Sequence, residues 1–142
     1  MPTTTDFLAP VLVLVCWTFV MWIWMYATRI PAMKEAGIDP QEAVYPGTWA
    51  HRLRPGVRSV ADNYNHLHEQ PTIFYALMFF AVLTGGADST ALALAWGYVG
   101  LRVAHSLVQA TINRVIVRFG IFATATLVLM VFALREALRL LG

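Results

Sequence analysis

From Phe7 to Thr28 the chain runs for 22 residues without a charge, between Asp6 and Arg29. At 1.5 Å per residue that is about 33 Å of helix, enough to cross a hydrocarbon core of about 30 Å. Trp17, Trp22, Trp24 and Tyr26 thicken toward its C-terminal end, in the manner of an interfacial aromatic belt. A second uncharged run, Gln70–Ala87, closes on Gly85-Gly86 and is extended by a helical approach from about Val57. A third starts after Asp88 and reaches about Asn113, interrupted only by Arg102 and His105. The fourth, Phe119–Leu134, is short for a span, so Arg135 is expected to snorkel and the helix to reach further. The pattern therefore predicts four helices, over about 7–30, 57–84, 89–113 and 118–140, in one domain covering 1–142. A polar loop over about 31–56, with Gly37, Pro40, Pro46, Gly47, Pro55 and Gly56, separates the first two. Gly85–Ser89 and Asn113–Arg118 are tight turns, which makes sequential helices antiparallel neighbours.

Two stretches carry most of the polar groups within this apolar frame. Arg58, Asp62, Asn65, His66 and Glu69 fall at offsets 0, 4, 7, 8 and 11; Arg102, His105, Ser106, Gln109 and Asn113 fall at 0, 3, 4, 7 and 11. Both are one-face helical patterns. Charges at a membrane helix cost roughly 2.5–3.5 kcal/mol each on insertion scales, so these faces should meet protein or water. The simplest reading is interhelical glue, with Arg102 paired to Glu69 or Asp62. As an ensemble, arginines beside Asn, His and Gln also suit an anionic ligand with several carboxylates.

Composition sharpens this. Of the 142 residues, 58% are hydrophobic and 13% charged, with a mean hydropathy of +0.61. A soluble domain averages about 25% charged residues, so an all-α integral membrane bundle is the expected class and a disordered chain is excluded. Ten basic against eight acidic residues, with no basic run interleaved with aromatics, speak against nucleic-acid binding. Cys16 is alone, which removes an intramolecular disulfide and a cysteine metal site and leaves a small buried hydrophobe as its expected role. His66 and His68 lie about 200° apart on a helix and do not readily share a metal; His66 with His105 is only a weak haem signal, and no metal is expected. The start, Met-Pro-Thr-Thr-Thr-Asp, lacks the basic residues that precede a cleaved signal sequence, so helix one is expected to be retained.

Loop charges give an orientation. The first and third connections hold Arg29, Lys34, Arg52, Arg54, Arg58, Arg114 and Arg118; the other side holds Arg135 and Arg139. Seven against two places the long loop in the cytoplasm and both termini outside it, in the inner membrane if the source is bacterial.

Two strings within this layout resemble the MAPEG family, the membrane-associated proteins in eicosanoid and glutathione metabolism. One is Asn65-His66-Leu67-His68-Glu69-Gln70-Pro71, similar to the family's Asn…Glu…Pro signature. The other is Arg102-Val103-Ala104-His105 with Arg118 sixteen residues after Arg102, which resembles the prostaglandin E synthase branch in a bacterial-type member. The layout covers nearly the whole chain and the motifs about thirty residues of it. The resemblance implies a homotrimer with a glutathione cleft at each subunit interface near the cytoplasmic side. By position, Asn65, Glu69, His105 and Arg118 would be glutathione contacts, joined by Arg29. Glutathione carries two carboxylates and an ammonium, which arginines and one glutamate complement. The Asn-to-Glu spacing is four here, against three in the synthase branch. Gln109 stands where active branches place a tyrosine contacting the sulfur, and Phe119 where the synthase branch has a serine.

Two functions stay open. One is a glutathione-dependent transferase or peroxidase acting on lipophilic electrophiles that arrive through the bilayer, with Arg118 and, more weakly, Gln109 as the groups at sulfur. The other is a non-catalytic membrane protein of the same fold that binds a lipid or a partner.

Overall fold

The computed structural model describes residues 2–45 and 47–142; Met1 and the loop's Pro46 lie outside the described residues. Five helices carry the fold. α1 spans Thr4–Glu35, α2 Pro55–His66, α3 Gln70–Leu83, α4 Ser89–Ala110 and α5 Val115–Leu141. There are no strands among the described residues.

α1 opens on a reciprocal cap. The Asp6 amide donates to Thr3 Oγ1 at 3.2 Å, and the Thr3 amide donates to the Asp6 carboxylate at 3.1 Å, satisfying two of the free donors of the first turn. The helix absorbs Pro10 and Pro31 and runs past the expected end near 30 to Glu35. The following loop is not purely polar. Ile38, Trp49 and Leu53 form a small buried cluster, framed by short 3-10 turns at Pro40–Val44 and Ala50–Arg52. Arg52 donates to Glu42 at 2.9 Å and to the Ala36 carbonyl at 3.0 Å, which holds the loop against the end of α1.

The helix expected over about 57–84 is two helices, broken at Leu67–Glu69. Pro71 is the cause. It has no N–H for the Leu67 carbonyl, and its ring crowds that carbonyl, but it is well placed in the first turn of a new helix. Glu69, the residue before α3, has φ −92° and ψ −98°, outside the helical region. Three helices, α1, α4 and α5, are long and apolar enough to cross a membrane among the described residues.

Phe7, Leu14 and Met21 of α1 repeat every seven residues and join Phe74 and Met78 of α3 in the main core. Ala91 and Ala95 of α4, with Ala125 of α5, keep the facing helices close. The outer faces are apolar too. Only 22% of the apolar window of α1 and 17% of that of α5 is buried, an inside-out distribution for water but the expected one for lipid. Cys16 sits on this outer face, exposed rather than buried.

The α3–α4 turn is locked by α5. Gly85 adopts φ +75°, and Asp88 caps α4 by accepting from the Ala91 amide at 2.9 Å. Arg139 donates to the Thr84 carbonyl and hydroxyl at 2.9 and 2.6 Å. Arg135 pairs with Asp88, and both arginines reach Glu136, which is 1% exposed. Arg135 is thus tied into a four-charge network instead of snorkelling outward.

Candidate functional site

The end of α2, the C-terminal third of α4 and the first turns of α5 enclose a cleft of about 180 Å³. His66, His105 and Arg118 supply its polar lining, and Val115, Phe119 and Phe122 its apolar wall. The His66 and His105 rings meet edge-on, with centroids 6.0 Å apart, and Phe122 lies 5.9 Å from His105. His105 is 3% exposed and its Nδ1 has no hydrogen-bond partner. Arg118 is steadied at the rim, donating to Asn113 Oδ1 at 2.8 Å; Asn113 in turn donates to Ser59 Oγ at 2.9 Å. Asn113 has φ +48°, a left-handed conformation that asparagine tolerates better than most residues.

Behind the cleft, Arg102 is fully buried. The expected ion pair with Glu69 or Asp62 does not form among the described residues. Instead Nη2 donates to the His66 carbonyl at 3.0 Å, the guanidinium lies 5.6 Å from the Phe122 ring centre, and Nε and Nη1 are unpartnered. A cation at the C-terminal end of α2 is favourably placed against the helix dipole, and it shares this carbonyl with the Glu69 amide at 3.4 Å. Asp62 is exposed and lines the groove that holds Arg29 and Arg58. Glu69 turns to its own segment, with Oε2 2.8 Å from His66 Nδ1.

The other expected contacts divide. Asn65 is exposed and does not line the cleft; His66, one residue on, does. Gln109 is 1% exposed, with an unpartnered Oε1, and also lies outside the lining. Arg29 lies 4.5 Å from the Trp49 ring centre and lines a separate groove of about 210 Å³ with Arg58 and Asp62. One chain therefore brings together His105 and Arg118 and holds Arg29 apart. The sequence placed His66 in the polar stripe and as a weak haem partner of His105 but not among the glutathione contacts, although its spacing of three from Glu69 was the available signal. A one-residue shift rotates a helical side chain by about 100°.

The cleft's chemistry fits an anionic ligand. A guanidinium at the rim, an unpartnered imidazole nitrogen inside and unpartnered Arg102 donors behind offer charge and hydrogen bonds that the chain does not consume. The aromatic wall suits an apolar co-substrate. No group of three His, Cys, Asp or Glu side chains able to hold a metal occurs among the described residues.

The model of the MAPEG family matches residues 7–138, nearly the whole chain. Comparison with curated proteins and with solved structures gave no match.

Proposed function

The chain belongs to the MAPEG family, and from that premise we propose that it is a glutathione-dependent transferase or peroxidase acting on lipophilic electrophiles. It is a membrane protein of a family tied to eicosanoid and glutathione metabolism. The carrying observation is the convergence of His66, His105 and Arg118 on one cleft walled by Phe119 and Phe122. In this reading Arg118 binds a carboxylate or the sulfur anion, His105 donates or accepts one hydrogen bond, and the aromatic wall receives the electrophile. When bound, glutathione supplies the nucleophilic thiol.

The assembly we propose is a homotrimer of chains with four membrane-crossing segments, α2 and α3 together forming the second. Both termini would lie outside the cytoplasm, in the inner membrane of a bacterial source. Two observations support an assembled site. The cleft, at about 180 Å³, is smaller than the roughly 300 Å³ at which ligand pockets begin. Arg29, with Arg58 and Asp62, lines a different groove of the same chain, so a site containing both Arg29 and Arg118 is most simply built from two copies.

Isothermal calorimetry with millimolar glutathione tests the reading on purified protein. Binding is expected, weakened at least about tenfold by Arg118→Ala, since a charge-assisted contact is worth about 1.5–3 kcal/mol. No heat from wild type would end the glutathione reading. The position of Gln109, buried and off the cleft, favours the second reading, a lipid- or partner-binding protein of the same fold. Conjugation of glutathione to an aryl chloride separates the two: turnover supports the enzyme, and binding without turnover supports the alternative.

A further inference from the structure

His66 ends α2 with its ring in the cleft and its Nδ1 2.8 Å from Glu69 Oε2. The pair is close but not aligned as a hydrogen bond, as catalytic pairs often are before a substrate binds. A carboxylate beside Nδ1 is the acceptor for an N–H at that atom, and in the tautomer protonated there Nε2 carries the lone pair. The backbone of the same residue is anchored by Arg102, whose Nη2 donates to the His66 carbonyl at 3.0 Å. An imidazole with a carboxylate on one nitrogen, a fixed backbone and its other nitrogen free is the arrangement of a proton acceptor.

We propose that His66, oriented by Glu69, takes the thiol proton in this cleft, with Arg118 facing the anion that results. The proposal rests on the glutathione reading above. His66 Nε2 accepts the sulfhydryl proton: the S–H bond breaks, an N–H bond forms, and the electron pair stays on sulfur. That pair forms the S–C bond to an aryl chloride, chloride departs with its bonding pair, and the imidazolium returns its proton to solvent.

The groups facing His66 decide between the candidates. They are Glu69 at the start of α3, Arg102 and His105 on α4, and Arg118 on α5. The arginines favour an anion on sulfur, and Glu69 compensates the positive charge His66 acquires. His105 has no such compensation: it is nearly fully buried and no carboxylate contacts it among the described residues. Gln109 has no basic nitrogen and does not line the cleft.

The full chain in detergent or nanodiscs, with glutathione as the probe, tests this in two readouts. Calorimetry reports binding, and the ultraviolet difference absorbance of thiolate reports the proton. Wild type is expected to bind and to show thiolate. His66→Gln is expected to bind within about threefold but to lose the thiolate signal, and conjugation of chlorodinitrobenzene should fall about 10²-fold, the ordinary scale for losing a general base. His66→Gly should regain activity with added imidazole, which a merely structural role would not allow. Glu69→Gln, an exposed position, should lower the thiolate fraction while the fold persists, as expected for a positioning residue. No calorimetric signal from wild type overturns the glutathione reading. Binding with thiolate undiminished in His66→Gln, or with no thiolate in wild type, overturns the role of His66 alone. If His66→Gln does not fold, the Glu69→Gln signal decides: thiolate equal to wild type overturns the proposal, and a reduced one supports it.

Discussion

At the scale of single residues, Arg102 shows how a buried charge is read differently from a sequence and from a structure. Truncating one partner of a buried ion pair costs about 3–5 kcal/mol because the other charge is left alone. Arg102 has no carboxylate partner among the described residues, only the His66 carbonyl and the face of Phe122. Arg102→Leu therefore loses one charge-assisted hydrogen bond, about 1.5–3 kcal/mol, and regains part of the cost of desolvating the guanidinium. The expected net loss is below about 2 kcal/mol, measured as a melting shift of a few degrees, with a folded protein retained. A variant that cannot be expressed would point to a partner carboxylate in the assembly. That Arg102 faces α2 was legible from the stripe at offsets 0, 3, 4 and 7. Its partner was not, because the stripe fixes a face and leaves open whether a side chain or a backbone carbonyl meets it.

At the scale of elements, the break between α2 and α3 positions the cleft. Both halves read as one helical approach because hydropathy and face pattern continue across 67–69, and Pro71 alone permits either a kink or a fresh start. Pro71→Ala restores a donor for the Leu67 carbonyl and is expected to let the helix run through. Backbone amides at 68–70 should then gain protection in hydrogen exchange, and the thiolate signal of added glutathione should fall, since His66 and Glu69 would be re-aimed by up to about 100°. Unchanged exchange and thiolate signal would show that the break is held by tertiary contacts instead. The opposite end of the bundle was the least legible part. Arg135, Glu136 and Arg139 look like a polar helix end, and their partners Thr84 and Asp88 lie 47–55 residues away. Gly86 passes so close to the Glu136 carboxylate that an added Cβ would collide with it. Gly86→Ala should therefore destabilise by about 1–3 kcal/mol, and Glu136→Leu by about 1.5–3 kcal/mol, since Arg135 and Arg139 lose their shared carboxylate but keep Asp88 and Thr84. Thermal melting of both variants checks the network.

At the scale of the whole molecule, the apolar spans and their tight turns were legible because uncharged runs of such length have few alternatives. Within one chain the candidate residues are divided: His66, His105 and Arg118 line one cleft, and Arg29, Arg58 and Asp62 another. If copies join these halves, a defect in either half disables every site in a pure variant, but two different defects need not fall at the same interface. Arg29→Ala and Arg118→Ala, each expected to bind glutathione poorly alone, should therefore complement when coexpressed. With random mixing in a cyclic assembly, each interface takes its two halves independently, so about a quarter of the interfaces carry both native arginines. Calorimetry on the mixed oligomer should show about that fraction of sites at wild-type affinity, with native mass spectrometry giving trimers of mixed composition. Mixed trimers without restored sites would place both arginines in the site of one chain, and the two grooves would then have to merge by a rearrangement of α1 against α2. Restoration of a quarter of the sites has no explanation within a monomer, where each chain keeps its own defect.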